Sequence, residues 1–286
     1  MIAQALYTSV YLSPHFDDIA LSCGGWAAAE HAAGRRGLCI TVFAAPPPPG
    51  HVLHAYAQQL HERWGEADPP AANRLRRAEE TAALAILGLD PLWLDFADAI
   101  YRPAPYDSHA ALFCEIAPSE QETLPAAVAA AVADALARTG IGPDVPIYTP
   151  LGAGRHADHQ IVRAAGLRLA AAGRPLWFYE DYPYAARPGT LAEAVAAVAA
   201  QIAPARLVSE VRDVAAYLDT RIAAIAAYAS QISSLFPDLA AVPGAVQAYA
   251  AATGAEHGLL AAERYWRLEP APAGVSDSLA GEHAGR

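Results

Sequence analysis

The sequence predicts an α/β fold: a mostly parallel β-sheet flanked by helices, with a helical C-terminal portion. Two observations predict it. Short runs rich in β-branched and aromatic residues alternate with longer helix-forming stretches through the first two-thirds of the chain, the pattern of strands joined by helical crossovers. From Thr190 onward, helix-forming stretches dominate. The length of 286 residues suits one large domain. That domain is expected over residues 1–268. Residues 269–286 read as a disordered tail, because Pro, Gly, Ser and Ala replace apolar periodicity there.

Leu6 to Leu12 is the first expected strand, and Gly24 to Ala33 a helix ended by Gly34. Leu38 to Phe43 is the second strand, after which Pro46 to Pro49 force an extended loop. Asn73 is placed to cap a helix that runs to Leu87 and stops at Gly88. Leu92 to Leu94 is a short third strand. Ser119 and Glu122 have capping-box spacing for a helix to Arg138. Val145 to Thr149 is the fourth strand, Asp158 the cap of a helix ending before Gly173, and Leu176 to Tyr179 the fifth strand. Thr190 and Glu193 repeat the capping-box spacing. Arg206 to Val211 is a late strand, Asp213 caps a helix to Gln231, and turns at Pro237 and Pro243-Gly244 precede a last helix. This order is Rossmann-like, and ligands on such sheets sit beyond the carboxyl ends of the strands.

Composition narrows the partners. Hydrophobic residues make up 54% of the chain and charged residues 17%, which excludes global disorder. A net charge of -11 disfavours nucleic acid and anionic membranes. Cys23, Cys39 and Cys114 lack CxxC spacing, so neither a disulfide framework nor a thiolate metal site is expected. With no basic leader and no apolar stretch of spanning length, a cytoplasmic location is the expectation.

Two clusters point to chemistry. Ser13-Pro14-His15-Phe16-Asp17-Asp18 falls where the first strand ends. One imidazole and two adjacent carboxylates are costly in an apolar segment, and a cation would offset their repulsion. His15 and Asp18 are three apart, so a turn aims both at one ion, while Asp17 points elsewhere and reaches a metal-bound water. A turn with an acidic helix cap accounts for the same residues more simply. Gly152-Ala153-Gly154-Arg155-His156-Ala157-Asp158-His159 follows the fourth strand and opens a helix. An ordinary capped loop explains it too. Together, though, the clusters supply two imidazoles and a carboxylate for zinc, with a fourth position left for water.

These residues resemble the Pro-His-x-Asp-Asp and His-x-Asp-His motifs of the PIG-L/LmbE-like de-N-acetylase family. The likeness extends through Arg76-Arg77-Ala78-Glu79, Leu87-Gly88, Asp98 and Tyr179-Glu180-Asp181-Tyr182-Pro183-Tyr184, covering roughly residues 8 to 185. The resemblance implies a Zn(2+) cofactor held by His15, Asp18 and His159. It implies Asp17 as general base, and a protonated His156 that stabilises the oxyanion or protonates the leaving amine. Asp158 orients a neighbouring histidine, and Arg76 and Asp98 contact substrate unless they merely pair with each other. The partner so implied is a small N-acetylated sugar or sugar conjugate of the N-acetylglucosamine type; a homo-oligomer is left open. Three positions depart from the pattern: Phe16 replaces the usual Pro, Ile19 the usual Glu, and Gly154 a Tyr carried by some members.

Other residues carry weaker signals. Glu180 and Asp181 either line the pocket or cap a turn, and Tyr182 and Tyr184 either stack on a sugar ring or, the better-favoured reading, pack. His51, His54, His61 and Trp64 suit a solvated loop better than a second metal site. Cys23 reads as a small buried hydrophobe and Arg35-Arg36 as a solvated helix end. A rival with the same chemistry cleaves the amide of a sugar-linked thiol conjugate. A non-enzymatic nucleotide-binding protein is disfavoured, because the first turn lacks Gly-x-Gly-x-x-Gly and carries acids where phosphates would sit.

Overall fold

The computed structural model describes residues 6–269 except Pro49 and Ala104. Seven strands form one sheet: β1 (Tyr7–Ser13), β2 (Arg36–Thr41), β3 (Leu89–Trp93), β4 (Ile147–Pro150), β5 (Leu176–Tyr179), β6 (Arg206–Asp213) and β7 (Ala262–Glu269). Their order is β3-β2-β1-β4-β5-β7-β6. The first five run parallel, and β7 joins β5 and β6 antiparallel. The helices are α1 (Asp18–Ala32), α2 (Ala55–Trp64), α3 (Pro69–Leu87), α4 (His109–Leu112), α5 (Thr123–Arg138), α6 (Ala157–Ala171), α7 (Thr190–Ile202), α8 (Leu218–Ala226), α9 (Ile232–Leu235) and α10 (Ala241–Ala255). None of the described helices is long and apolar enough to cross a membrane.

Alternation along each strand divides the core. Val10 and Leu12 of β1, with Leu38 and Ile40 of β2, pack with Val128 and Val132 of α5 and Ile161 of α6. Tyr11 and Cys39, on the opposite face, pack with Ala27 of α1 and Leu84 and Leu87 of α3. Cys23 is fully buried beside them, as a small hydrophobe. The chain therefore forms three layers, with helices on both faces.

Several local expectations change. α1 begins at Asp18, six residues before the expected Gly24. Asp68 rather than Asn73 caps α3, and Asn73 instead donates to the Ala44 carbonyl. Neither capping box forms: α5 starts at Thr123 beyond Ser119, and the Thr190 hydroxyl donates to the carbonyls of Tyr184 and Arg187. Pro243-Gly244 lies in the first turn of α10, where a missing proline N–H costs no helical bond. Part of the expected solvated loop is α2. There His54 caps the helix, and buried His61 bonds the Tyr101 hydroxyl at 2.7 Å. Arg36 belongs to β2 and pairs with Asp90 at 2.6 Å, rather than being a solvated helix end. Glu269 ends β7 instead of starting a tail, and the rest of that expected tail lies outside the described residues.

β7 is a strand that the sequence did not announce. Its Glu263 accepts from the backbone N–H groups of Gly25 (2.8 Å) and Trp26 (3.0 Å) in α1, and pairs with Arg221 of α8 at 3.2 Å. Arg221 is 1% exposed and also donates to the Leu21 carbonyl. Gly24 and Gly25 are needed here, because a Cβ on either would come within 2.8 Å of Arg221 or Glu263. Removing one partner of a buried pair leaves the other charge uncompensated. Glu263→Ala should therefore lower the unfolding free energy by about 3–5 kcal/mol, read from urea denaturation. A loss below about 1 kcal/mol would show that this clamp does not hold α1 in place.

Candidate active site

Four strand ends meet at one crevice. The order reverses between β1 and β4, which is where an open α/β sheet leaves room for a ligand. His15, Asp17 and Asp18 follow β1, and Asp98 lies beyond β3. His156, Asp158 and His159 follow β4, and Asp181 follows β5. All eight are buried. Gly152 (φ 86°), Gly154 (φ 81°) and Arg155 (φ 64°) take left-handed conformations, folding the β4 loop tightly back before α6.

Each histidine is oriented from behind. His15 Nε2 donates to Asp158 Oδ2 at 3.0 Å. Asp158 is itself held by Arg102 (2.7 Å) and the Ala99 N–H (3.0 Å). His159 Nδ1 donates to Asp181 Oδ1 at 2.7 Å, and Asp181 Oδ2 accepts from the N–H groups of Gly152 (2.7 Å) and Ala153 (2.9 Å). With those outer nitrogens engaged, His15 Nδ1 and His159 Nε2 turn inward. They stand 3.6 and 3.4 Å from the two oxygens of Asp18. A tetrahedron with bonds of about 2.0 Å has edges of roughly 3.3 Å. The inward lone pairs repel one another unless a proton or a cation stands among them. Ring nitrogens of His15, His156 and His159 also lie within 4.8 Å of one another. The donor set therefore suits a small divalent cation. A second acidic group, His15 with Asp98 and Asp158, fits one less well, because Arg76 and Arg102 already neutralise its carboxylates.

Charges around the crevice follow from burial and neighbours. Burial alone would lower the His15 pKa, but Asp98, Asp158 and Asp18 overcome it and raise it well above the usual value. His159 is raised in the same way, with Asp18 and Asp181 outweighing burial. Burial would raise Asp18, yet His159 and His15 bring it down to about 2. Asp17 goes the other way: burial and the charge of Asp18 lift it above the ordinary carboxylate range. Asp17 occupies the N-cap position of α1 but its side chain makes no capping bond. His156 Nδ1 accepts from the Asp158 N–H at 3.2 Å. Burial, then His15 and His159, hold its pKa well below 6.5. This favours a neutral imidazole carrying its proton on Nε2, where the sequence suggested a protonated one.

Arg76 lies between the rings of Phe16 (5.1 Å) and Trp64 (4.7 Å), so the phenylalanine that replaces the usual proline forms a wall for this guanidinium. Arg76 and Asp98 do pair, at 3.7 Å, and Asp98 accepts from the Ile100 N–H. Both still line the cleft. Tyr184 lines it too, packed against Gly154 where a Cβ would come within 2.7 Å. Glu180 turns away, accepting from Tyr249 (2.6 Å) and Trp266 (3.1 Å). Arg102 is the support that the motifs do not disclose. Asp181, which its strand-end position marked as a pocket or turn residue, holds both His159 and the loop after β4, whereas nothing in sequence ties Arg102 to Asp158.

A family model described as PIG-L, GlcNAc-PI de-N-acetylase, matches residues 10–170, more than half of the chain. The chain belongs to the PIG-L family. This PIG-L protein is 31% identical over 191 residues to the 2'-N-acetylparomamine deacetylase of Niallia circulans, across 61% of this chain and 66% of that one. It is 34% identical over 179 residues to the 2'-N-acetylparomamine deacetylase of Streptomyces fradiae, across 62% and 57%. The match thus spans less than two thirds of the length of both of these curated relatives. Among solved structures it resembles a deacetylase of the teicoplanin biosynthesis pathway (TM-score 0.75, 28% identity, 91% of this chain and 97% of that one). It also resembles the A40926 pseudoaglycone deacetylase (TM-score 0.74, 28% identity, 93% and 98%). A third is a zinc-inhibited form of a teicoplanin deacetylase (TM-score 0.75, 26% identity, 91% and 97%).

Two outcomes are expected at this site. A cation entering among the inward nitrogens must displace protons, and the raised pKa values of His15 and His159 make protonation a competitor above pH 6.5. Affinity for a divalent cation should fall as pH is lowered from 8 to 6, with protons released on binding, measurable by calorimetry in buffers of different ionisation enthalpy. Affinity independent of pH over that range would contradict this arrangement. Second, Asp181→Ala should weaken the cation about 10- to 100-fold, because His159 loses its orienting partner; unchanged affinity would show that Asp181 serves only the loop.

Proposed function

We propose that this chain hydrolyses the acetamido group of an N-acetylated amino sugar, in a metal-assisted reaction with zinc as the resident cation. The observation that carries it is the inward-facing set of His15, Asp18 and His159 beside an uncapped, buried Asp17. His15, Asp18 and His159 would hold the cation, which when bound lowers the pKa of water and polarises an amide carbonyl.

The chain's own groups divide the remaining work. Asp17, with its raised pKa, takes a proton from the attacking water and returns it to the departing amine. Neutral His156 presents an Nε2–H donor to the oxyanion that develops on the former carbonyl oxygen. Asp158 and Asp181 keep His15 and His159 in the tautomers that leave their inner nitrogens free. Arg76 and Asp98 sit at the cleft wall, one a donor and the other an acceptor for sugar hydroxyls. The similarity to deacetylases supports acetate as the product rather than the acyl portion of a thiol conjugate. The assignment of N-acetylglucosamine as the sugar follows the family description.

Acetate release from a panel of N-acetylglucosaminides tests this directly; amide cleavage confined to thiol conjugates would replace it with the rival substrate. Asp17→Asn should retain the cation and lose about 10²- to 10⁴-fold in kcat. Near-normal turnover in that variant would place the base elsewhere.

A further inference from the structure

Beyond the floor, the cleft changes character. Its walls carry the apolar side chains of Leu60, Trp64, Leu112, Phe113 and Leu235 beside the polar Tyr56, His109, Gln231 and Ser234. Set among these are two arginines, Arg63 near the end of α2 and Arg187 in the loop after β5. Both are exposed. Arg187 lies over the Tyr184 ring at 5.2 Å. Neither guanidinium has an ion pair or a hydrogen bond to another described residue, although most other arginines near the site do.

The acids of the cleft are all on its floor. Asp17, Asp18 and Asp98 are the only carboxylates among the described lining residues. They face Arg76, His15 and His159, and a bound cation would neutralise them further. The outer cleft of a protein with net charge -11 is therefore locally positive. Two unpaired guanidiniums beside these apolar side chains suit a group that is both flat or apolar and negatively charged.

We propose that this mouth selects an N-acetyl amino sugar joined to an aryl group that bears an anion, and disfavours polycationic amino sugars. The proposal rests on the deacetylase reading and names the part of the substrate that reading leaves open. Arg63 and Arg187 are then specificity-determining residues: they contact the aglycone rather than the scissile amide and steer anionic substrates toward the cleft.

Three phenyl N-acetylglucosaminides test it, bearing a para carboxylate, carboxamide or aminomethyl group. Their Kd values are measured by calorimetry on the metal-loaded Asp17→Asn protein, so that turnover does not interfere. The carboxylate should bind about five- to tenfold tighter than the carboxamide, and the aminomethyl compound weakest. Adding Arg63→Gln and Arg187→Gln, both at exposed positions that do not endanger the fold, should abolish this order. Raising NaCl to about 0.5 M should compress it, because exposed charges are screened. Equal Kd values for the three compounds, no measurable binding of any, or the same order after both arginines are replaced would each overturn the proposal. Acetate release by the unsubstituted protein, followed in parallel, judges the deacetylase reading separately from the charge preference.

Discussion

Two buried carboxylates behind two imidazoles set the rest of the site. Asp158 and Asp181 each engage the outer nitrogen of a histidine, and only then do the inner nitrogens converge on Asp18. Buried carboxylates are stable only when their lone pairs are satisfied. Arg102 and the Ala99 N–H satisfy Asp158; two loop N–H groups satisfy Asp181. The geometry of the crevice is thus inherited from backbone and side chains that never face it. Arg102 in turn is bound by Glu120, so the segment after β3 is tied to the same point.

The legible parts of this protein were those governed by local rules. β5 matched its expected bounds, and β1, β2 and β4 were displaced by two residues at most, because β-branched and aromatic runs between breakers are local signals. The two metal-like motifs landed at neighbouring strand ends because connection order and parallel pairing leave few alternatives. Helix starts fared worse. Asp68, Asn73, Asp158 and Thr190 are all good caps by type, and tertiary partners decided which of them capped. β7 escaped notice because its alternating Ala-Glu-Arg-Tyr-Trp-Arg-Leu-Glu carries two ion-paired acids and two arginines, a composition that reads as surface until β6 and Arg221 are in place.

Among the site residues, type and spacing singled out those in the motifs, but not their protonation. Asp17 and Asp18 are adjacent in sequence and alike in chemistry, yet one is pushed up and the other down. The difference is where each points. Asp18 faces two imidazoles, whereas burial and the charge of Asp18 outweigh what Arg76 and His15 contribute to Asp17. Phe16 is a similar case: a departure from the family pattern in sequence, it becomes in three dimensions one of the two rings enclosing Arg76.

The clamp of Glu263 on α1 has a consequence for the order in which the molecule can assemble. Its bonds to Gly25 and Trp26 span 238 and 237 residues. Contacts between such distant parts of a chain close late and slow the search for the native state. During synthesis the His15-Phe16-Asp17-Asp18 turn at the root of α1 therefore emerges well before the strand that anchors this helix, whose Glu263 follows Trp26 by 237 residues. Until β7 follows, the nascent chain exposes an unanchored acidic loop and an unpaired edge of β5, an interval in which aggregation competes with folding.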